Sequence, residues 1–98
     1  MIPRPLAHLL PLGATTTHHD GATRAAWVDE WGTAWGMTSR LAADGLRVDV
    51  TAEVAGITHA RLVGVYALDV SIADHLPRDA GVAVAALRRV VRAARRVA

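Results

Sequence analysis

Residues 47–54, Arg-Val-Asp-Val-Thr-Ala-Glu-Val, alternate without a break, with Val48, Val50, Ala52 and Val54 on one side and Arg47, Asp49, Thr51 and Glu53 on the other. A period of two is the mark of a strand with one dry and one wet face, and such strands belong to antiparallel sheets. Wound into a helix, the same valines would scatter around its circumference. That argues against the helix-turn-helix spacing that Ala52, Ala55, Gly56, Ile57, Leu62 and Val65 would otherwise offer. After a turn at Ala55-Gly56, residues 58–72 put Ala60, Leu62, Tyr66, Leu68, Val70 and Ile72 on one face, which predicts a returning hairpin strand with a bulge at Gly64.

Beyond His75-Leu76-Pro77 the period changes to that of a helix. Asp79 is placed to cap it, and its apolar stripe is Ala80, Val84, Leu87, Val91 and Ala94, joined by Ala83, Val90 and Val97. At 100° per residue, Arg88, Arg89, Arg92, Arg95 and Arg96 gather within a sector of about 120° on the opposite face. The expected element is a basic amphipathic helix.

Upstream, residues 24–43 read in two ways. Trp27, Trp31 and Trp35 recur every four residues, and with Ala34, Thr38, Leu41 and Ala42 they fill one face of a helix that Thr23 would cap and Gly45 would end. Four residues are also two strand periods, so Trp27, Asp29, Trp31, Thr33, Trp35 and Met37 equally line one face of a strand or hairpin. Gly32 and Gly36 inside a helix each cost about 1 kcal/mol relative to alanine. A helix is the reading adopted. The tryptophans are assigned to the core or to a subunit interface, because a chain with no phenylalanine must build its interior from something.

Residues 1–23 hold three of the four prolines and are read as an irregular N-terminal arm before a single domain spanning 24–98. Leu6, Leu9 and Leu10 make the arm greasy, so it is expected to pack on the domain or on a neighbouring subunit. The longest run free of polar side chains, Ala80 to Leu87, is far short of the roughly 20 residues of a membrane span. A cytoplasmic protein is expected, with export the alternative left by Arg4 and Gly13-Ala14.

In a chain of 98 residues with no cysteine, there is no disulfide framework, no thiolate nucleophile and no cysteine-ligated metal. All eleven basic residues are arginine, a bias that fits a GC-rich bacterial genome. Charge is unevenly placed: the nine acids all fall at or before Asp79 against six arginines, whereas residues 80–98 carry five arginines and no acid. The five arginines of the helix are the candidate surface for an anion or a protein partner. The other candidate interface residues are Leu6, Leu9, Leu10, Trp27, Trp31 and Trp35.

His18, His19 and Asp20 form the only local grouping with metal-ligand or acid–base character, but they lack a third ligand on rigid structure. No cofactor, metal or small-molecule substrate is indicated, and an enzyme or metal protein built on those three residues is the least favoured alternative. Residues 46–98, a hairpin followed by a long helix, are similar in pattern to the YbaB/EbfC nucleoid-associated proteins. That resemblance implies a helix–strands–helix subunit that dimerises and binds DNA.

The expectation is therefore an α+β domain: a small antiparallel sheet, a tryptophan-rich first helix and a basic C-terminal helix. A two-strand sheet leaves edges that proteins usually cover, which favours a homo-oligomeric or protein–protein assembly role. The alternative is nucleic-acid binding through the arginine face.

Overall fold

Antiparallel pairing carries the chain from Thr15 to Tyr66 in the computed structural model, which describes residues 14–69 and 71–97. Five strands, β1 (Thr15–His19), β2 (Ala22–Val28), β3 (Ala34–Ala42), β4 (Gly45–Val54) and β5 (Ile57–Tyr66), form a sheet in the order β1-β2-β3-β4-β5, and the helix α1 (Ile72–Val97) follows. This is a small α+β fold. Each connection is a hairpin, so a strand always lies beside its neighbour in sequence. The β1–β2 and β4–β5 turns place Asp20-Gly21 and Ala55-Gly56 at positive φ, the conformation whose twist suits a two-residue hairpin.

The first helix expected over residues 24–43 is absent, and the alternative period operates there instead. Trp27 in β2 and Trp35 in β3 are register partners, and their rings stack with centroids 6.3 Å apart. Gly32 sits in the connecting loop at φ 82°, where it carries no helical penalty. Gly36 lies under the Arg24 guanidinium, which spans it to donate to the hydroxyls of Thr38 and Thr51, each at 3.2 Å. Among the described residues, five strands and one helix replace the helix–strands–helix pattern of the nucleoid-associated family. Residues 15–23, placed in the arm by sequence, form β1 and open β2. Leu6, Leu9 and Leu10 lie outside the described residues.

β4 follows its alternation: Val48, Val50 and Ala52 are fully buried and face α1. β5 departs from its predicted phase. Val48 pairs with Gly64 but Asp49 pairs with Leu62, leaving Val63 as an extra residue next to the glycine expected to mark a bulge. One inserted residue reverses the side on which the preceding ones emerge. Ala60 and Leu62 therefore share the outer face with Thr51 and Asp49, Leu62 is 47% exposed, and Tyr66 turns inward to the core. The strand also ends at Tyr66 rather than running to residue 72.

The helix begins seven residues before its expected cap. The Ser71 carbonyl accepts from the amides of Asp74 and His75, and the Asp69 carboxylate in turn holds the Ser71 amide at 2.8 Å. Pro77 consequently lies inside α1 and forgoes one backbone bond, a cost offset by the complete burial of its neighbour Leu76. Leu76, Ala80, Ala83, Leu87 and Val91 make the buried stripe against Trp35, Met37, Val48, Val50, Ala52 and Tyr66. Val90, expected beside the stripe, is 42% exposed. Asp79 accepts the Tyr66 hydroxyl at 2.8 Å, and burial together with that carboxylate pushes the phenol's pKa well above its ordinary value.

Gly45 opens β4 at φ 136°, and a Cβ there would lie 2.3 Å from the Tyr66 carbonyl oxygen. The backbone conformation alone would cost a substituted residue about 1–3 kcal/mol. Gly45→Ala is expected to lower the free energy of unfolding in urea by about 2 kcal/mol or more. A loss below about 0.5 kcal/mol would mean that the β3–β4 turn is not held as described.

Candidate functional site

The five residues between β2 and β3, Asp29 to Thr33, are wrapped around one carboxylate. Asp29 Oδ1 accepts the backbone N–H groups of Trp31 and Thr33, both at 2.9 Å, and Oδ2 accepts the Trp35 indole N–H at 2.9 Å. Backbone bonds from Asp29 N to Thr33 O and from Gly32 N to Asp29 O close the loop. From α1, the Arg95 guanidinium donates to the Thr33 hydroxyl and stands 3.9 Å from Asp29 Oδ1. Burial alone would raise the Asp29 pKa. The indole, the two amides and the Arg95 charge outweigh it and hold the carboxyl below its ordinary value.

This tie leaves a groove of about 260 Å³ between the loop and the helix. Trp31 stands on one side, Trp35 and Val91 form apolar wall, and Arg88 and Arg92 stand on the other side with Arg95. Trp31 is 68% exposed, whereas Trp35 is buried and Trp27 half-buried, so the three tryptophans do not share a face. Arg88, Arg89, Arg92 and Arg96 are exposed and make no ion pair or side-chain hydrogen bond among the described residues. Arg95 differs from those four: its charge is directed inward, to the loop.

His18, His19 and Asp20 lie at the tip of the β1–β2 hairpin. His19 pairs with Asp20 at 3.0 Å and His18 Nδ1 lies 3.0 Å from the Thr23 hydroxyl. Among the described residues, no three His, Cys, Asp or Glu side chains stand close enough to hold a metal ion. Among them too, no helix is long and apolar enough to cross a membrane.

Sequence reasoning did not single out Asp29 or Thr33. The available signal was an aspartate three residues before a glycine at a strand's end, a spacing that suits a side-chain-capped turn. It also passed over His59, which points inward opposite Ala52 with Nε2 buried and unbonded among the described residues. Compared with protein-family models, curated proteins and solved structures, the chain matches none of them.

Asp29→Asn would set an amide against the Trp35 indole N–H or against the loop amides, and would remove the charge facing Arg95. The substitution is expected to cost about 1.5–3 kcal/mol at neutral pH. Because the folded pKa is depressed, the stability it represents is present above the unfolded value of 3.8 and is lost as pH falls through the folded pKa. Chemical denaturation of both proteins across that range should show their difference shrinking toward low pH; a constant difference would contradict the assignment.

Proposed function

We propose that the protein is a small non-enzymatic interaction protein that holds an anionic partner on the arginine face of α1 and in the Trp31 groove beside it. The supporting observation is that Arg88, Arg89, Arg92 and Arg96 have no acidic partner among the described residues, although the same helix directs Arg95 to Asp29. Acid–base chemistry is a poor fit to the groove. Asp29 is held ionised by three hydrogen bonds, which removes it as a proton donor near neutrality.

Exposed arginines bind polyanions by displacing condensed counterions, so affinity falls steeply with salt. The protein is expected to be retained on immobilised heparin at about 100 mM salt. The double variant Arg88→Ala/Arg92→Ala should elute at clearly lower salt with its circular dichroism unchanged. Co-elution of the two proteins would remove the arginine face as the working surface.

Self-association is a second reading, favoured by a different surface. Leu62, Val65, Leu68 and Val82 are each more than 40% exposed, and Leu62 and Val82 flank a shallow recess of about 150 Å³ between Arg61 and Asp79. β5 has a neighbour on one side only. Two copies related by a two-fold axis would place Arg61 of one near Asp79 of the other while covering this apolar edge. Light scattering is expected to give a mass above 10.4 kDa, returned to that of one chain by Leu62→Glu. A single-chain mass for the unaltered protein at high micromolar concentration would end this reading.

A further inference from the structure

We infer that the groove takes an unpaired base of a single-stranded nucleic acid, stacked on Trp31, with the flanking phosphates on Arg88 and Arg92. The inference rests on the anionic partner proposed above and names its class.

Three features of the groove carry it. Trp31 offers an open ring on a loop already fixed through the Asp29 carboxylate, so stacking on it orders little that is not ordered beforehand. Trp35 and Val91 add apolar lining, and about 260 Å³ is below the usual range of pockets for drug-sized ligands, a size that suits one planar ring system. Arg88 and Arg92 are separated by one helical turn, about 6 Å along the axis, a spacing suited to successive phosphates of an extended strand. Arg89 and Arg96 continue the charge along the same helix.

The same features set the specificity. A base within a duplex is stacked on its neighbours and beyond the reach of Trp31, so duplex DNA would engage the arginines alone. Asp29 and Thr33, polar side chains of the groove besides arginine, are already bound to the loop and to Arg95, and with Arg88 and Arg92 on phosphates no carboxylate, amide or hydroxyl is left to read base edges. Binding is therefore tolerant of sequence, as expected for a stacking platform beside a cationic track. An acidic peptide would satisfy the arginines but brings no planar group to Trp31.

The test uses the full chain, fluorescein-labelled oligothymidylate of about 20 nucleotides, the corresponding duplex, and polyglutamate as competitor, followed by fluorescence anisotropy at several salt concentrations. The single strand is expected to bind more tightly than the duplex. Trp31→Ala should weaken the single strand about fivefold or more, leave duplex binding and heparin retention unchanged, and be largely rescued by Trp31→Phe. The Trp31 side chain makes none of the loop's hydrogen bonds, so these variants keep the fold. Arg88→Ala/Arg92→Ala should weaken both nucleic acids and reduce the single-strand salt slope by about 1.4. Oligothymidylate binding that ignores Trp31→Ala, or that polyglutamate displaces equally well per charge, would overturn the inference. If the unaltered protein is retained on heparin but does not bind oligothymidylate, the base-stacking site alone is refuted; if the unaltered protein binds neither, the anionic-partner reading falls with it.

Discussion

One carboxylate, that of Asp29, joins the sheet to the far end of the helix. It accepts two amides of its own loop and the indole of a core tryptophan, all at 2.9 Å, and it faces Arg95 more loosely at 3.9 Å. The distances decide which contacts matter. A hydrogen bond to a charged group contributes about 1.5–3 kcal/mol, whereas a partly exposed ion pair is worth about 0–1 kcal/mol. The loop is therefore shaped by Asp29 from within, and Arg95 adds a lock rather than the frame. Without that internal shaping, Trp31 would sit on a free loop and the groove would have no fixed wall.

The rest of the fold answers a simpler constraint, which is that the sheet must be dry on one face. Leu76, Leu87 and Val91 enter that face from α1, and each such side chain contributes about 1.5–3 kcal/mol when fully buried. Alanines at positions 80 and 83 let the helix approach closely over Val48, Val50 and Ala52. The opposite face is closed by polar side chains, with Arg24 lying over Gly36 between two threonine hydroxyls. At the β5 edge the bulge at Val63 and the charged Arg61 interrupt what would otherwise be a flat strand of ten residues, features that discourage indefinite edge pairing. A closed pairing of two copies needs only the side chains beside that edge.

What could be read from sequence follows the strength of local periodicity. β4 was legible because a strand with one buried face has no other way to arrange Val48, Val50 and Ala52. The helix was legible through Ala80, Leu87 and Val91, while its start was not, since Pro77 argued locally against a turn that the buried Leu76 stabilises from a distance. The tryptophan segment was misread because a repeat of four satisfies both periods, and only the pairing of β2 with β3 and of β3 with β4 decides between them. β5 lost its phase at a single inserted residue, Val63: Gly64 marked the bulge, but the reversal of faces it imposes on the residues before it shows only in the pairing with β4. Of the site, the arginines were visible as a face, but the groove was not: Asp29, Thr33 and Arg95 meet only when residues more than sixty apart are brought together.

The arginine face also bears on the helix that carries it. Arg88 and Arg92, Arg92 and Arg96, Arg89 and Arg92, and Arg92 and Arg95 all stand three or four residues apart, where like charges destabilise a helix by about 0.2–0.5 kcal/mol per pair. The favourable end of the helix dipole reaches only the last turn, hence only Arg95 and Arg96, with about 0.3–1 kcal/mol each. Repulsion centred on Arg92 therefore opposes the dipole's gain and leaves little net benefit to the helix from so many arginines. An anion lying along the face would relieve that repulsion on binding, and its affinity would draw on strain already present in the free protein. By linkage, the same anion would stabilise the last turns of α1, and with them the Arg95 contact to the loop that forms the groove's wall.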